Sequence, residues 1–368
     1  MKIVCQKDVL LKGVNIALRA IPSKTTMPIM ECILISCSNN QITLTANDGE
    51  LAINTAVDGE IINPGTVAIE AKILSDIVRK LPDSDVTIDV DDNFLVTITC
   101  EKAKFEISGS DGYDFTGLPQ VNRSKYISIS QFNLKEIIRQ TIFSISDSDN
   151  NHIMGGELFE VKGNILRMAS LDGHRISIRR LELKDNYEDS KVIIPGKTLG
   201  EISKILSGGV DDEVIIYITK NHIMFEFDTT IIVSRLIEGE YFKIDNMISG
   251  DYETKVDINK KDLLSCIDRS TLLIKENDKK PLIMNITDDN MELKLISAIG
   301  SLREDISVNK TGKDIMIGFN PMFLMDALRV IDDENVSIYM VNAKAPCFIK
   351  DDSESYIYLI LPVNFNIN

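Results

Sequence analysis

The chain repeats one sequence pattern three times, about 125 residues apart. The pattern occupies residues 69–81, 194–206 and 319–331. Each copy carries a leucine and, two positions later, an acid, which is Asp76, Glu201 or Asp326. A catalytic site needs different residues that converge on one point, and identical repeats do not supply them. The repeat therefore favours a scaffold that acts through its geometry.

Shorter patterns recur at nearly the same spacing. The runs at 47–51, 171–175 and 299–302 each separate two alternating apolar stretches, and we expect hairpin turns in which Gly49, Gly173 and Gly300 supply a positive φ. An earlier helical pattern recurs around residues 10, 137 and 263, and a fainter half-repeat lies within each copy. The predicted fold is α+β, with three tandem domains that each contain two strand-helix-strands units and antiparallel sheets.

The 368 residues are 44% hydrophobic, which is enough for three domains with full cores. The repeat predicts domains at 1–124, 125–252 and 253–368, joined rigidly because no low-complexity linker separates them. No long apolar run or signal peptide is present, so a cytoplasmic protein is expected. The six cysteines form no C-x-x-C pair and lie in apolar runs, which predicts buried thiols rather than disulfides or a metal site.

Signals for chemistry are few. Residues 195–198 resemble a phosphate-binding loop, but Lys191 stands where that motif needs glycine. The three histidines do not have the spacing of metal ligands. His174 follows Asp172 in the second turn and would allow an acid/base pair, so a repeat-built enzymatic or ligand-binding scaffold stays open as the alternative. We predict no catalytic residue, metal or cofactor.

Charge is unevenly distributed along the chain. The total of 40 basic and 56 acidic residues gives a net charge of −16, which by itself argues against nucleic acid. The six predicted helices and the loop at Lys24 nevertheless hold sixteen lysines and arginines against eight acids. If these helices share one side, that side is locally positive, and an ordinary solvated helix face is the competing interpretation. No pattern for reading bases is present, so any contact with DNA is expected at phosphates.

Three features together resemble the bacterial sliding clamp, the beta subunit of DNA polymerase III. They are the threefold repeat, the Asp-Gly-His-Arg run at 172–175, and the paired segments 317–321 and 358–363. The resemblance covers the whole chain. It implies a non-catalytic processivity factor in which two chains form a head-to-tail ring of six domains around duplex DNA. It also implies partners, namely double-stranded DNA without sequence preference, a second copy, the replicative polymerase, the clamp loader and other proteins with clamp-binding motifs, and no membrane.

The resemblance assigns positions that face DNA and positions that close the ring. Lys24 and Lys197 correspond to DNA-side positions of the family, and His152 stands where the family has an aromatic residue. Helix position adds seven further basic residues, which are Lys12, Lys72, Arg79, Lys80, Lys135, Arg139 and Lys204. The dimer interface is expected at Phe105 and Ile107 of one chain and at Leu272 and Leu273 of the other.

A groove for partner peptides is expected between the second and third domains, with His174 and Arg175 at its rim. The chain departs from the family at Leu171, Phe242, Asn246 and Asn364, so we expect the groove to be more apolar and less basic than is usual in the family. The positions that the resemblance assigns to the groove are Met154, Leu171, Gly173, His174, Arg175, Ile176, Phe242, Asn246, Met247, Asn320, Phe323, Lys344, Pro346, Ile360, Leu361, Pro362, Val363, Asn364 and Phe365.

Overall fold

The described residues contain six α-helices, which lie where the apolar spacing and its recurrence predict them. The structure is a computed structural model that describes residues 1–146, 151–248, 250–275 and 280–365. Asn259 and Asn320 cap two of the helices, because each side chain accepts hydrogen bonds from amides of the first turn. The helices are α1 (Lys7–Ala17), α2 (Ala71–Lys80), α3 (Gln131–Arg139), α4 (Gly196–Ile205), α5 (Lys260–Thr271) and α6 (Pro321–Val330).

The strands follow the alternating runs of the sequence, as in Asp85–Val90, where every second side chain is buried. They fall into three groups along the chain. The first group is β1 (Lys2–Gln6), β2 (Cys32–Ser38), β3 (Gln41–Asn47), β4 (Leu51–Val57), β5 (Glu60–Asn63), β6 (Gly65–Glu70), β7 (Asp85–Val90), β8 (Leu95–Cys100) and β9 (Ala103–Ser108). The second is β10 (Ile127–Ser130), β11 (Gly156–Leu171), β12 (Arg175–Pro195), β13 (Glu213–Ile218), β14 (His222–Phe227) and β15 (Thr230–Arg235). The third is β16 (Thr254–Asn259), β17 (Leu282–Thr287), β18 (Asn290–Ile296), β19 (Ser301–Ser307), β20 (Asn309–Gly312), β21 (Ile315–Phe319), β22 (Asn335–Met340), β23 (Cys347–Lys350) and β24 (Tyr356–Ile360).

The predicted hairpin turns are present, but the third one differs from the other two. Gly49 and Gly173 have φ of 92° and 89°, as expected. Gly300 does not adopt a positive φ. Ser297 N donates to Gly300 O at 2.9 Å, so Gly300 closes its turn and Ala298 stands at the position of the other two glycines. The role predicted for Gly300 was therefore wrong, because the sequence match was shifted by two residues.

Two compact units are built from these elements. The first consists of Met1–Leu134 and Glu201–Leu236. It holds a five-stranded antiparallel sheet in the order β5-β1-β7-β8-β9 and an eight-stranded antiparallel sheet in the order β10-β13-β14-β15-β4-β3-β2-β6. In the larger sheet β15 pairs with β4, so strands of two different repeats form one continuous sheet.

The second unit consists of Lys135–Gly200 and the described residues from Ile237 onwards. It holds a seven-stranded sheet in the order β11-β12-β24-β23-β22-β16-β20 and a four-stranded sheet in the order β19-β18-β17-β21. Here β24 pairs with β12, again joining strands of two repeats in antiparallel fashion. The predicted α+β class with antiparallel sheets is confirmed.

The cysteines are free thiols, and all but the half-buried Cys32 are buried. Burial raises the pKa of Cys5 and Cys347 to about 12 and that of Cys37 and Cys266 to about 11, so these thiols stay protonated near neutral pH. In the described part of the chain, no group of three or more metal-binding side chains is placed to hold a metal. No helix among the described residues has the length and apolar character needed to cross a membrane.

Candidate functional site

The turn at 172–175 is fixed by its own aspartate. Asp172 Oδ1 accepts hydrogen bonds from the amides of His174, at 2.9 Å, and Arg175, at 3.2 Å. Its other carboxylate oxygen is 2.9 Å from Arg175 Nε. Both oxygens are therefore occupied by local donors, as is usual for an aspartate that stabilises a turn. This arrangement leaves no acid/base pair between Asp172 and His174, which argues against the enzymatic alternative.

Arg175 lies in a network rather than at an open rim. Its guanidinium is 2.6 Å from Asp326 Oδ2 on α6 and donates to Phe143 O at 2.6 Å. The same group lies over the Phe323 ring, 4.4 Å from the centroid, and only 11% of its side chain is exposed. The rim position expected for Arg175 is corrected, because its donors already bind groups of this chain. Neither Phe143 nor Asp326 was expected here, since nothing local in the sequence connects them to the turn.

An apolar cluster underlies this network. Leu171 and Ile176 are 4% and 6% exposed and pack with residues of β11, β22, β23 and β24. They belong to the core, so they offer little surface to a ligand. Met154 and Phe242 are half-buried and pack against the same cluster.

Exposed apolar groups remain next to the cluster. Met247 and Leu361 are 44% and 37% exposed, and the His174 ring lies 6.0 Å from the Phe323 ring. Asn246 is exposed as well, and Asn320 accepts the amide of Met322 as the cap of α6. Exposed apolar side chains beside aromatic rings are suited to anchoring a peptide.

The C-terminal segment runs alongside the turn. Leu361 N donates to His174 O and Val363 N donates to Gly318 O, both at 2.8 Å. A Cβ on Gly318 would lie 2.7 Å from the Phe365 ring, so the missing side chain allows this approach. Ile360 is buried, Pro362 is half-buried and Asn364 is exposed. Lys344 and Pro346 lie in the loop between β22 and β23, with Lys344 exposed.

A carboxyl group is buried in the core of the same unit. Glu157 on β11 is fully buried, and among the described residues neither of its oxygens has a partner with good hydrogen-bond geometry, although the nearby Thr141 side chain offsets part of the effect of burial on its pKa. Burial raises its pKa to about 8, so the group is largely neutral at pH 7. The hydroxyl of Tyr241 is also buried, with no hydrogen-bond partner in the part of the chain that the structure describes, and its pKa is raised by burial and by Glu157. Sequence reasoning did not find this pair, because a glutamate in an alternating run resembles a surface residue.

The basic residues predicted to face DNA differ in their surroundings. In the first unit Lys12, Lys24, Lys72, Lys80 and Lys204 are exposed, and Lys204 pairs with Glu201. Arg79 is exposed on α2 and approaches Asp76 at 3.6 Å. In the second unit Lys197 is exposed, whereas Lys135 is half-buried. Arg139 binds Glu136 and Asp332, and His152 lies near Glu238 O at 3.4 Å.

The four residues predicted at the dimer interface fall into two pairs, each with one exposed and one half-buried side chain. Phe105 is 39% exposed on β9, an edge strand of its sheet, and Ile107 on the same strand is half-buried. Leu272 is 78% exposed at the end of α5. Leu273 is half-buried and packs against the core of the third repeat. Large exposed apolar side chains at a sheet edge are typical of a protein interface.

Repeated domains with continuous sheets and free edge strands, without a catalytic constellation among the described residues, define a scaffold of the DNA-clamp class. Similarity to known protein families identifies the particular family. Residues 1–119, 128–243 and 246–364 match the N-terminal, central and C-terminal domains of the DNA polymerase III beta subunit. The chain belongs to this family, the bacterial sliding clamps, whose members are non-catalytic processivity factors of DNA polymerase III.

Individual relatives agree with this assignment. The beta sliding clamps of Staphylococcus epidermidis and Staphylococcus aureus are each 33% identical over 99% of this chain and 99% of their own length. A crystal structure of a DNA polymerase III beta subunit from Eubacterium rectale is 64% identical, with a TM-score of 0.96 over 99% of this chain and 100% of that one. The sliding clamp of Bacillus subtilis is 31% identical, with a TM-score of 0.96 over the full length of both chains.

Proposed function

We propose that two copies of this chain close head to tail into a ring of six domains that encircles duplex DNA. The ring tethers the replicative polymerase and other DNA-processing proteins through the groove around His174 and Leu361. The observation that carries this proposal is a pair of edge strands, β9 and β19, whose counterparts in the other repeats are paired.

The two joins within the chain follow one rule. A final strand of one repeat, β15 or β24, pairs antiparallel with the strand after the hairpin turn of the preceding repeat, β4 or β12. The first repeat's final strand is β9, and the third repeat's strand after the hairpin turn is β19. Each is the edge strand of its sheet among the described residues. An exposed edge offers unpaired amides and carbonyls to another strand. A second copy supplies the missing partner for both edges at once, because a head-to-tail contact repeats until the ring closes.

The internal joins also predict the register of the intermolecular one. Ile232 lies opposite Ile53 in the first join, and Tyr358 lies opposite Ser177 in the second. The repeat offsets place Phe105 at the position of Ile232 and Tyr358, and Leu302 at that of Ile53 and Ser177. Ile232 and Tyr358 are 0% and 2% exposed, whereas Phe105 is 39% exposed. Burying Phe105 against Leu302 of a second copy gives it the environment of its counterparts.

Cross-linking tests this register. The pair of Phe105 and Leu302 is of the non-hydrogen-bonded type, with Cα atoms about 4.5 Å apart, which suits a disulfide. We expect the double variant Phe105→Cys, Leu302→Cys to form a covalent dimer under mild oxidation. The control Phe105→Cys, Arg303→Cys places its thiols on opposite faces and should cross-link poorly. Most native thiols are buried and protonated, so they should not interfere.

Encirclement is tested with the same variant. If it is oxidised in the presence of circular duplex DNA, covalently closed rings should stay on the circle through a high-salt wash and be released when the circle is linearised. Loss from intact circles would refute encirclement. A purified protein that stays monomeric at micromolar concentration and forms no cross-link would refute the ring.

Binding of duplex DNA inside the ring requires only loose phosphate contacts. Exposed lysines on α1, α2 and α4, with Lys24 in its loop, supply positive charge in a chain whose net charge is −16. A ring holds DNA by topology, so its charges need to be attractive but not strong. We therefore assign sequence-independent contacts to these residues.

The groove is proposed to bind short peptides with apolar anchors. This assignment is supported by exposed Leu361, whose amide donates to the carbonyl of His174, and by the His174 ring that lies near Phe323. Exposed Met247 stands in the chain between Ile244 and Ile248, which belong to or pack against the closed apolar cluster. Replacing Met154 and Leu361 with glutamate should abolish stimulation of the polymerase. The cross-linkable register should be unaffected, since neither residue lies on β9 or β19. Loss of the dimer instead would show that these residues are not groove residues.

A further inference from the structure

A connecting segment, residues 237–248, joins the second repeat to the third. Tyr241 and Ile244 of this segment are buried in the apolar cluster that they form with residues of β11, β22, β23 and β24, and Ile248 packs against it. The chain makes a short 3-10 turn that begins at Ile244 and ends at Met247, whose side chain is 44% exposed. The place of Met247 in the groove therefore depends on what holds this turn.

The backbone hydrogen bonds of the turn stay within the connecting segment. Ile244 N donates to Phe242 O at 2.9 Å, and Asn246 N donates to Lys243 O at 3.1 Å. Such local bonds fix the shape of a turn but do not attach it to a neighbouring strand. Burial of Ile244 anchors the start of the turn, whereas Met247 lies three residues further on.

An ion pair attaches the turn to β11. Arg167 Nη1 lies 2.5 Å from Asp245 Oδ1, and Arg167 Nη2 lies 3.4 Å from Asp245 Oδ2. Arg167 Nη2 also lies 2.7 Å from Glu160 Oε2 on the same strand. The side chains of Arg167 and Glu160 are 12% and 7% exposed, whereas that of Asp245 is 65% exposed. A guanidinium is rigid and planar, so an arginine held by a buried acid presents its remaining donors in a fixed direction.

The charges of the three groups indicate what this pair does. Hydrogen bonds from Arg167 lower the pKa of Asp245 below its usual value, so the carboxylate is charged at neutral pH. A guanidinium that is nearly buried needs a carboxylate beside it, and Glu160 still pairs with Arg167 when Asp245 is removed. Loss of Asp245 should therefore release the turn at little cost to the stability of the core.

We propose that Arg167 is a positioning residue of the peptide groove, which acts through Asp245 to hold the 3-10 turn and so fixes Met247 as an apolar anchor point for a partner peptide. The inference rests on the groove proposed above and adds two residues to the positions expected from the sequence. An anchor point that is already fixed loses less conformational entropy when a ligand binds. The pair thereby raises peptide affinity without touching the peptide.

Double-mutant cycles test this role. The probe is a fluorescent peptide with leucine and phenylalanine anchors, and its affinity is measured by anisotropy. Asp245→Ala should weaken binding about threefold to tenfold, which is the scale of one partly exposed ion pair. In a Met247→Ala background the same change should weaken binding by less than about twofold, because Asp245 acts through Met247. In a Leu361→Ala background the two losses should multiply, since Leu361 lies on a different segment.

Further variants separate positioning from a general loss of stability or charge. Glu253→Ala removes another exposed acid of the same unit, paired with Lys313 at 2.8 Å, and should change peptide affinity by less than about twofold. Asp245→Glu keeps the charge and should restore most of the affinity. Arg167→Lys keeps the charge beside Glu160 but loses the fork that binds two acids, so it should weaken binding about as much as Asp245→Ala.

The cycles distinguish failure of the positioning role from failure of the groove. If Asp245→Ala weakens binding equally with and without Met247, the carboxylate contacts the peptide itself and the positioning role is overturned. If Asp245→Ala has no effect while Met247→Ala and Leu361→Ala weaken binding, the role of the ion pair is overturned and the groove stands. If neither Met247→Ala nor Leu361→Ala weakens binding, the groove and the positioning role are both overturned.

Discussion

Arg175 should contribute more to stability than any exposed arginine, because it joins the 172–175 turn to α6. Arg175→Ala removes its contacts with Asp172, Asp326 and Phe143 O and its packing over Phe323. Hydrogen bonds between charged groups contribute about 1.5–3 kcal/mol each and a cation–π contact about 1 kcal/mol. Because Asp326 is 28% exposed, solvent replaces part of its interaction. We expect a net loss of about 3 kcal/mol, part of which is the cost of leaving two acids unpaired.

Urea unfolding followed by circular dichroism measures this loss. The matched control is Arg180→Ala, since the guanidinium of Arg180 binds the carbonyl and carboxylate of Glu354 and 30% of its side chain is exposed. Its loss should be about 1 kcal/mol or less. Arg175→Lys should be intermediate, because an ammonium keeps the charge but cannot bridge all three acceptors. Hydrogen exchange at Leu361, whose amide donates to His174 O, should rise only in the Arg175 variants. If Arg175→Ala and Arg180→Ala lower the unfolding free energy equally, the network does not hold the turn as described.

Two further changes test other parts of the second unit. The folded pKa of Glu157, about 8, exceeds its unfolded value of about 4.3, so wild type should lose up to about 1.4 kcal/mol of stability per pH unit between these values. Glu157→Gln removes this loss, so the urea midpoint of the variant should exceed that of wild type by an amount that grows from about pH 5 to about pH 8. If the two urea midpoints depend on pH in the same way, the carboxyl group is not buried as described. Gly318→Ala places a methyl group against the Phe365 ring and should displace the C-terminal segment. A peptide with apolar anchors should then bind at least about tenfold more weakly, roughly 1.4 kcal/mol, while the dimer is unchanged. Unaltered peptide affinity would show that the C-terminal segment is not part of the groove.

Much of the fold could be read from the sequence because its signals are local and recur. Apolar spacing predicted the two helices of the first repeat, and recurrence of the pattern predicted the other four that the described residues contain. The alternating runs predicted the hairpins that precede β4 and β12. Each pattern occurs in all three repeats, so a weak pattern in one repeat is supported by the corresponding patterns in the other two. The exception is the third turn, where Gly300 was aligned with Gly49 and Gly173 although Ala298 occupies their position. A glycine fits many turn positions, so its presence alone does not fix an alignment.

The resemblance predicted which positions belong to the candidate groove, but not the contacts and burial of each side chain. The resemblance named Arg175 and Leu171 as groove positions, yet the first is held by Asp326 and Phe143 O and the second lies in the core. The partners of Arg175 lie 151 and 32 residues away along the chain. No periodicity of the sequence reports on contacts of that kind.

The sequence by itself determined the threefold repeat, the α+β class and the concentration of basic residues on helices, because each depends on short-range spacing and composition. Only the tertiary structure decided that β9 and β19 are edges while their counterparts are paired, that Glu157 is buried, and that Arg167 binds both Glu160 and Asp245. Strand partners, desolvation and ion pairs depend on which distant segments meet in space. That information appears only when the chain is folded, and it is where the copies of the repeat differ.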